Sequence, residues 1–415
     1  RPPRSTLFPY TTLFRSAVNK VRYYQIQKEH GMKKSRILVT CPKRMTVYVR
    51  QELQELGYPI MYESMAGVFT EGTLHDTMIL NLRMRTASRI LLLLKECECD
   101  SPADLYYHTS KIAWEDIIPD KNGYVSVISA VDTPSIDNTQ FANVKCKDAI
   151  VDRIRQKTGK RPDSGSDNDY TVIFLYWKDT ECCIYLDTSG TPLSRRGYRM
   201  MPHSAPMRET LAAATVLATR WDKQSSFINP MCGSGTLAIE AALIATQRAP
   251  GLLRPNFGFM HVQDYNHQEW IALRENAESA IIPFESRIIA SDRDTKAVQA
   301  TRENAKKAGV AHLIKVSRCD FSETEIPHDN GIIMLNPEYG KRLGDDEKLL
   351  AEYQRIGNFF KQQCSGYMGY IFTGNLELAK HVGLKAKRRI EFFNADIDCR
   401  LLEFELYEGK KHINS

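Results

Sequence analysis

The segment Phe227-Ile-Asn-Pro-Met-Cys-Gly-Ser-Gly-Thr236 indicates the fold more strongly than any other part of the chain. It predicts a strand that runs into a glycine-bearing turn, with a helix beginning at Thr236. Gly233 and Gly235 lack Cβ atoms, so a ligand can approach the backbone closely, and the helix N-terminus offers it free N–H groups. The lysine and the glycine spacing of a phosphate-binding P-loop are missing. Taken alone, the segment is equally consistent with a tight strand–helix turn.

The chain around this segment alternates strands and helices from Pro206 to the C-terminus. The predicted strands are 227–228, 286–290, 314–316, 331–335, 367–372 and 400–407, and the predicted helices are 208–219, 237–244, 294–308 and 346–361. This alternation predicts an α/β fold class with a Rossmann-like, doubly wound and mostly parallel sheet, whose final segment adds an antiparallel edge. Ligands of such sheets bind beyond the carboxyl ends of the strands.

Two further strand ends place candidate ligand groups at the same rim. Asp292 follows the second strand, where a carboxylate can accept hydrogen bonds from both hydroxyls of a ribose. It lies farther from the glycine turn than is usual, because residues 250–283 form an insertion. The alternative for Asp292 is a helix N-cap, a role for which Asp294 is also well placed. Asp320 and Phe321 follow the third strand and suit the edge and the face of an adenine.

The fourth strand delivers Asn336-Pro-Glu-Tyr-Gly340 to this rim. An exocyclic amine on a nucleic-acid base is a poor nucleophile, because its lone pair is delocalised into the ring. The Asn336 side-chain oxygen and the Pro337 carbonyl can accept its two N–H hydrogens, which holds the lone pair towards a sulfonium methyl group. Tyr339 can stack on the base. The alternative is an ordinary β-turn with proline at its second position.

Composition sets the broad class of the protein. The 415 residues, the net charge of +6, and the 42% hydrophobic and 26% charged residues predict a soluble globular protein of two or three domains. The charge fits a nucleic-acid partner without requiring one. No apolar run reaches the roughly 18 residues of a membrane span, so we expect a cytoplasmic protein without a membrane partner. We expect the ten cysteines to be free thiols and no metal to be bound, the minority alternative being zinc on Cys97, Cys99 and a distant pair.

Two α+β units precede the alternating region. The first covers residues 36–96, and the second, from 102 to about 186, contains a long helix at 139–157 and the strands 171–177 and 181–187. The polar segment 159–169 is predicted to be an exposed loop. The first sixteen or so residues resemble translated adapter sequence, and a natural start at Met32 suits the strand that follows.

Together these segments resemble the THUMP-domain RNA methyltransferases, and most closely the bacterial 23S rRNA guanine-N2 methyltransferase family of the RlmL type. The resemblance covers roughly residues 36–408. Besides the two rim segments, its motifs are Asn138-Thr-Gln-Phe141, Lys145-x-Lys-Asp-Ala149, Leu186-Asp-Thr-Ser-Gly190, Leu193-Ser-Arg-Arg-Gly-Tyr-Arg199 and Ala205-Pro-Met-Arg-Glu-Thr-Leu-Ala-Ala213. As a set they are far more specific than any one motif.

The resemblance implies a domain order and an activity. The implied ranges are a non-native or disordered leader (1–31), a ferredoxin-like domain (32–100), a THUMP RNA-binding domain (101–190), a linker (191–205) and a class I methyltransferase domain (206–415). The implied reaction transfers a methyl group from S-adenosylmethionine to the exocyclic N2 of a guanine in 23S rRNA or a large-subunit precursor. Methylation of tRNA guanine N2 or DNA adenine N6, and an inactive RNA-binding assembly factor, remain the alternatives.

The sequence departs from the family pattern at three points. Glu338 replaces the usual second proline of the catalytic motif, although the Pro337 carbonyl is retained, so we expect activity. Asn229 stands where related enzymes often carry Asp, which removes a charged contact to the cofactor amino group. The chain ends where some family members continue into a second methyltransferase, so one activity is expected.

The sequence contains three sets of candidate site residues. The catalytic candidates are Asn336, Pro337, Glu338 and Tyr339. The cofactor-binding candidates are Asn229, Pro230, Met231, Cys232, Gly233, Gly235, Thr236, Asp292, Arg293, Asp320 and Phe321. The RNA-binding candidates are Asn138, Thr139, Gln140, Lys145, Lys147, Arg195, Arg196 and Arg199, with Tyr198 as a base-stacking side chain. The alternatives are a solvated loop for the arginine segment and an ordinary amphipathic face for the lysines, and the basic run 385–389 is interpreted as solvated surface.

Overall fold

The computed structural model describes residues 33–119, 123–201, 207–339 and 346–407, so the leader predicted for residues 1–31 lies outside the described residues. These ranges form one eight-stranded and one seven-stranded β-sheet with helices packed against them. An α+β module therefore precedes a Rossmann-like α/β domain, as predicted. No helix within these ranges combines the length and the apolarity that a membrane crossing requires.

The N-terminal sheet has the strand order β2-β3-β1-β4-β8-β7-β5-β6. Its strands are β1 (Ser35–Thr40), β2 (Tyr62–Ser64), β3 (Gly67–Gly72), β4 (Arg89–Glu98), β5 (Tyr124–Asp132), β6 (Asp163–Gly165), β7 (Thr171–Lys178) and β8 (Glu181–Asp187). Its helices are α1 (Thr46–Glu55), α2 (Leu74–Arg83), α3 (Pro102–Ser110) and α4 (Thr139–Thr158). Helix α4 begins at the N-cap Asn138 and ends at Gly159, whose φ of 73° places it in the left-handed conformation usual for a helix stop.

The two α+β units of the sequence share this one sheet. Strand β4 of the first unit pairs with β8 of the second, antiparallel, with the register shifting between Leu93 and Lys95. Apolar residues of both strands pack together in the core, among them Leu91 and Tyr185. Because backbone hydrogen bonds cross the boundary, the two units are joined through a continuous ladder rather than through a flexible connection.

The C-terminal sheet has the order β11-β10-β9-β12-β13-β15-β14. Its strands are β9 (Ser226–Pro230), β10 (Ile288–Asp292), β11 (Ile314–Arg318), β12 (Gly331–Leu335), β13 (Met368–Thr373), β14 (Arg388–Asn394) and β15 (Ile397–Glu405). Its helices are α5 (Glu209–Ala218), α6 (Thr236–Ala245), α7 (His267–Ser279), α8 (Thr295–Lys307), α9 (Asp346–Gln363) and α10 (Leu376–Lys380).

The strand order of this sheet fixes where a ligand binds. Strands β9 to β13 run parallel, and the chain moves outward from β9 first through β10 and β11 and then, on the other side, through β12 and β13. The direction of winding therefore reverses between β9 and β12, which is the switch point where such sheets bind ligands. The antiparallel hairpin β14–β15 closes the far edge, with β15 next to β13.

Strand β14 was not predicted, because it begins within the basic run 385–389. The Lys387 ammonium pairs with Glu405 at 2.5 Å, and the Arg388 guanidinium pairs with Glu403 at 2.9 Å, both on β15. These cross-strand ion pairs allow a basic segment to form an edge strand, and charged side chains also discourage an edge from pairing with another chain. The interpretation of this run as mere solvated surface was therefore incomplete.

The insertion 250–283 joins the two sheets. The Arg254 guanidinium donates hydrogen bonds to the carbonyls of Ser189, Thr191 and Pro192 in the segment that follows β8, at 2.8 to 3.1 Å. The buried ring of Phe257 lies against the same guanidinium, with 4.6 Å between the central guanidinium carbon and the centre of the ring. The insertion thus contacts the N-terminal module through satisfied backbone carbonyls and buried rings.

Candidate active site and RNA-contact surface

The carboxyl ends of β9 and β12 lie side by side at the switch point. Ile228 and Ile333 are register partners, and the next residues carry the candidate groups. The Asn229 side-chain amide, fully buried, donates a hydrogen bond of 2.8 Å to the carbonyl of Met334. This bond ties the first strand of the cofactor motif directly to the strand that precedes the catalytic motif.

The two glycines of the turn have different surroundings. Gly233 has a φ of +55°, and a Cβ placed on it would meet nothing within 4 Å, so its backbone faces open space. Gly235, the N-cap of α6, has a φ of +81°, and a Cβ there would lie 2.7 Å from Cγ2 of Thr301. Gly233 therefore leaves room for a ligand, whereas Gly235 allows α6 and α8 to approach each other.

Helix α8 supports this turn through two polar side chains that the sequence analysis did not single out. The Thr301 hydroxyl donates to the Gly233 carbonyl at 2.9 Å, and the Asn304 amide donates to the Ser234 carbonyl at 3.0 Å. Both side chains are buried. A threonine and an asparagine three residues apart on the otherwise alanine-rich face of a helix were a usable signal, because buried polar groups require partners.

Asp292 lies at the same rim and closes the glycine turn from the neighbouring strand. One carboxylate oxygen accepts the Gly233 backbone N–H at 3.0 Å, and the other accepts the Asp294 N–H at 2.9 Å. Asp294 caps α8, as predicted, by accepting the Lys296 N–H. The ribose contact assigned to Asp292 stays a prediction, and Arg293 beside it is exposed.

The predicted adenine-binding residues are covered in this structure. Phe321 is buried, and the Arg355 guanidinium lies 4.8 Å from the centre of its ring. Arg355 also pairs with Asp320 at 2.6 Å. Burial alone would raise the pKa of Asp320, but hydrogen bonds from Ser322 and the charge of Arg355 hold that pKa below its usual value. An adenine contact at Phe321 stays a prediction that requires Arg355 to move.

The catalytic segment contains a hydrogen-bond acceptor that no donor contacts in the described part of the chain. The Asn336 side-chain oxygen is shielded from solvent and has no hydrogen-bond partner in the described part of the chain, and the same holds for the side-chain oxygen of Asn229. Pro337 is buried and Glu338 is exposed, while Gly340 lies outside the described residues. Unpaired buried acceptors are costly, so two at one rim indicate that donors come from a ligand.

Tyr339 is held by the C-terminal hairpin. Its hydroxyl accepts a hydrogen bond of 2.9 Å from the Asn394 amide, and a Cβ on Gly374 would lie 2.9 Å from its ring. Burial raises the pKa of the Tyr339 hydroxyl to about 12, so it is protonated at neutral pH. These contacts assign Tyr339 to anchoring the catalytic segment, and the base-stacking role stays a prediction.

The assignment of Arg196 to RNA was wrong. Arg196 and Tyr198 are each 1% exposed, and the Arg196 guanidinium lies 2.8 Å from a carboxylate oxygen of Glu240 on α6, which also accepts the Tyr198 hydroxyl at 3.0 Å. Arg196 further donates to the carbonyl of Arg85 in the N-terminal module. Burial raises the pKa of Glu240, and the charge of Arg196 opposes that shift. Neither Arg196 nor Tyr198 can therefore meet a phosphate or a base.

The other arginines of the same segment line an open groove of about 710 Å³ between the N-terminal module and the catalytic domain. Its arginines are Arg89, Arg195, Arg199 and Arg208. Arg199 pairs with Glu209 at 3.1 Å, and Arg89 pairs with Asp187. Arg195 and Arg208 are exposed and carry no ion pair within the described ranges. The groove thus has an excess of positive charge suited to phosphate groups.

The remaining RNA candidates lie at the start of α4. Asn138, Thr139 and Gln140 are exposed, and the Asn138 side chain is engaged in capping the helix. Lys145 is half-buried, with its ammonium 5.7 Å from the centre of the exposed Phe141 ring, and Lys147 is half-buried as well. The structure places this helix start in the N-terminal sheet module, apart from the arginine groove, and RNA contact there stays a prediction.

The parallel strand order, the rim at the switch point and the C-terminal antiparallel hairpin define a class I methyltransferase fold. The chain belongs to the RMKL-like methyltransferase family, since residues 196–403 match the family model described as RMKL-like, methyltransferase domain. Residues 36–91 match the RlmL ferredoxin-like domain and residues 99–187 match the THUMP domain. The family and the domain order were therefore predicted correctly, while the domain limits given above stay a prediction.

Relatives of known name support the same family. The chain is 34% identical over 386 residues to the ribosomal RNA large subunit methyltransferase K/L of Syntrophotalea carbinolica, covering 90% of this chain and 54% of that protein. It is 36% identical over 383 residues to the protein of the same name from Cellvibrio japonicus, covering 88% and 50%. The chain thus spans about half the length of these relatives.

Solved structures share the whole described architecture. The structure of SMU.472 complexed with SAH has a TM-score of 0.81 at 26% identity, and the match covers 91% of this chain and 99% of that one. A predicted N6-adenine-specific DNA methylase from Listeria monocytogenes has a TM-score of 0.80 at 28% identity, covering 94% and 98%. The module order and the catalytic domain are thus common to all three proteins.

Proposed function

We propose that this protein transfers the methyl group of S-adenosylmethionine to the exocyclic N2 amine of a guanine in 23S rRNA. The observation that carries the proposal is the unpaired Asn336 side-chain oxygen at the switch-point rim, beside the glycine turn. Relatives named as rRNA large subunit methyltransferases at 34 and 36% identity support the substrate. The match to a THUMP domain supports RNA as the partner.

S-adenosylmethionine fits the residues of the rim. Open space beside Gly233, the N-terminus of α6 and the Asp292 carboxylate offer room, N–H donors and an acceptor within one turn. The unpaired Asn229 oxygen is an additional acceptor for a donor group of the ligand. When bound, this cofactor supplies an electrophilic methyl group on a sulfonium centre. The similar structure of SMU.472 is described with the demethylated product SAH.

The residues of the catalytic segment can orient the nucleophile. The Asn336 oxygen and the Pro337 carbonyl accept the two N–H groups of the guanine amine and hold its lone pair towards the methyl group. These acceptors also stabilise the positive charge that develops on the nitrogen, and positioning supplies much of the remaining rate enhancement. Tyr339, anchored by Asn394, keeps the segment at the rim.

The DNA alternative has one observation in its favour, the name of the Listeria relative. An amine-directed segment of this kind also suits adenine N6. The THUMP match and the arginine groove favour RNA instead, because a groove lined by arginines together with an RNA-binding-type module serves a flexible, phosphate-rich strand. Methylation of tRNA and an inactive assembly factor with Glu338 as the altered residue complete the alternatives.

The test is labelled-methyl transfer from S-adenosylmethionine to unmodified 23S rRNA, with tRNA and duplex DNA in parallel, followed by nucleoside analysis. We expect label in N2-methylguanosine from rRNA alone. Label in tRNA, or in N6-methyladenosine from DNA, would overturn the proposed substrate. Cofactor binding without label in any nucleic acid, including a precursor large subunit, would overturn the proposed activity and favour the assembly factor.

A further inference from the structure

Three cysteine side chains lie close together in the N-terminal sheet, where β4 ends and β8 begins. Cys97 on β4 and Cys182 on β8 are register partners, and Cys99 follows directly after β4. The sulfur atoms of Cys97 and Cys99 are 3.8 Å apart, and all three sulfurs lie within 4.8 Å of one another. Cys99 and Cys182 are buried, whereas Cys97 is half-exposed.

The separation of the Cys97 and Cys99 sulfurs equals what a tetrahedral metal ion requires, and the other two separations are within 4.8 Å. Thiolates about 2.3 Å from a tetrahedral zinc ion lie about 3.8 Å from each other. A disulfide would join two of the sulfurs at about 2.0 Å and leave the third without a role. Convergence of three sulfurs on one point, with two of them buried and one facing outward, leaves an open side for an ion and a fourth ligand.

The surroundings of the three sulfurs favour a cation. A pocket of about 540 Å³ opens beside Cys97, and its other lining residues are Lys95, Glu96, Glu98, Asp100, Asp104 and His108. Glu96 pairs with Arg36, and the other three carboxylates of the lining outnumber the one ammonium group of Lys95, so the potential attracts positive ions. His108 lines the same pocket but lies outside the group of ligand atoms within 4.8 Å of one another, so its imidazole would have to turn towards the ion to complete a cysteine–histidine ligand set of structural zinc.

We propose that Cys97, Cys99 and Cys182 bind one zinc ion as thiolates, with His108 or a water molecule as the fourth ligand. Each thiol releases its proton to solvent as it coordinates. From the sequence we expected no metal, and zinc on Cys97, Cys99 and a distant pair was the minority alternative. The fold supplies one partner through the β4–β8 pairing, which sequence spacing cannot reveal.

The position of the site indicates a structural role. The Asp100 carbonyl accepts the Ser135 hydroxyl at 2.6 Å, and the Asp179 carbonyl accepts the Thr133 hydroxyl at 2.9 Å. The segment containing these two hydroxyl residues leads into Asn138 at the start of α4. Zinc would therefore hold β4, the β7–β8 turn and the base of the predicted RNA-contact helix together. Only this last consequence rests on the proposed function.

The test is zinc content of the full chain purified under reducing conditions without chelator, measured by elemental analysis and by competition with a chelator. We expect one zinc per chain. In Cys97→Ala the affinity for zinc should fall by more than about 100-fold, which exceeds the loss typical of changing a residue that only contacts a zinc ligand. Cys183→Ala is the matched control, because Cys183 is a buried neighbour on β8 outside the triad. Cobalt substitution should give thiolate charge-transfer bands that Cys97→Ala abolishes.

Several outcomes would overturn the site. Wild-type protein that binds no zinc, or equal binding in wild type and Cys97→Ala, would do so, the latter indicating adventitious binding only. Loss in Cys183→Ala with retention in Cys97→Ala would move the ion to the group Glu96, Glu181 and Cys183. Because Cys97 is half-exposed, its alanine variant should fold, which circular dichroism would verify. None of these readouts depends on methyl transfer.

Discussion

Two asparagine side chains meet at the switch point, and each has a different task. Asn229 uses its amide to bond the Met334 carbonyl, which fixes the distance between the cofactor turn and the catalytic strand. Asn336 leaves its oxygen unpaired in a shielded position. An unpaired buried acceptor costs folding free energy, and under the proposed function this cost is offset by the donor that the oxygen meets during the reaction.

Replacing Asn336 by alanine tests this assignment. We expect kcat for methyl transfer to fall by about 100- to 1,000-fold, the usual cost of one preorganised group at a developing charge. Cofactor affinity should stay within about twofold, because the proposed contact of Asn336 is to the base rather than to the cofactor. Single-turnover kinetics and equilibrium binding of S-adenosylhomocysteine give the two values. Equal losses in both would contradict the assigned role.

The two glycines of the turn provide a matched pair. Gly235→Ala should lower the free energy of unfolding by about 2–3 kcal/mol, because its Cβ meets Thr301 and its φ is positive. Gly233→Ala has a positive φ but no clash, so it should cost only about 1 kcal/mol of stability. Its Cβ would enter the space proposed for the cofactor, however, so cofactor affinity should fall at least about tenfold. Chemical denaturation and calorimetric titration of both variants would separate these effects; a large stability loss in Gly233→Ala would contradict the open space described.

At the residue scale, the sequence indicated which residues lie at the rim of the sheet, but it led to a wrong role for Arg196. Asn229, Gly233, Asp292 and Asn336 lie at or just beyond the carboxyl ends of strands, and parallel strands bring such positions to one edge, so their proximity was predictable. Arg196 was not predictable, since its partner Glu240 lies on a helix far along the chain and neighbouring arginines look alike in sequence. Only the packing of α6 against the segment shows which of them turns inward.

The element that most affects the catalytic segment is the β14–β15 hairpin. Asn394 at the end of β14 holds the Tyr339 hydroxyl, so the hairpin acts as a support for the residues that follow β12. The sequence predicted one strand at the C-terminus and omitted β14, because a run of basic residues is usually solvated. Ion pairs to β15 stabilise the strand, and they depend on a register that sequence spacing does not give.

Tyr339→Phe isolates this support. Removing the hydroxyl leaves the ring in place but frees the Asn394 amide, which should cost about 1 kcal/mol of stability. We expect kcat to fall about three- to tenfold with KM for rRNA nearly unchanged, since a looser segment positions the amine less well. Steady-state kinetics would provide both values. A rise in KM with kcat intact would instead favour direct stacking on the base.

At the scale of the whole molecule, a buried charge network joins the N-terminal module to the catalytic domain. Arg196 links Glu240 on α6 to the Arg85 carbonyl, and the Arg85 backbone N–H donates to the buried Glu52 carboxylate at 2.7 Å. Burial lowers the pKa of Arg85 to about 10, still well above neutral pH. Arg85 therefore keeps its charge, and removing Arg196 would leave the Glu240 carboxyl group buried without its cationic partner.

The adjacent arginines 195 and 196 offer a test of that network with a built-in control. Arg196→Ala should lower the free energy of unfolding by about 3–5 kcal/mol, because it strands the Glu240 charge. Arg195→Ala should change stability by less than about 0.5 kcal/mol, as expected for an exposed side chain. It should weaken rRNA binding and reduce the slope of log affinity against log salt by about 1. Urea unfolding measures the stability of both variants, and filter binding at several salt concentrations measures their affinity for rRNA. A large stability loss in Arg195→Ala together with a stable Arg196→Ala would contradict the structure.

The insertion 250–283 carries an evolutionary consequence. The three family models match consecutive segments of the chain, so each segment could be regarded as a separate cassette. Arg254, however, reaches from the catalytic cassette to carbonyls that follow β8, and Gly258 approaches the Asp187 carbonyl so closely that a Cβ would lie 2.3 Å from it. Recombination that exchanged the N-terminal cassettes with those of a distant homologue would break this fit unless the insertion travelled with them. We therefore expect residues 250–283 to be inherited together with the N-terminal module that they contact, rather than with the rest of the catalytic domain. A chimera should accordingly take this insertion and its N-terminal module from the same parent.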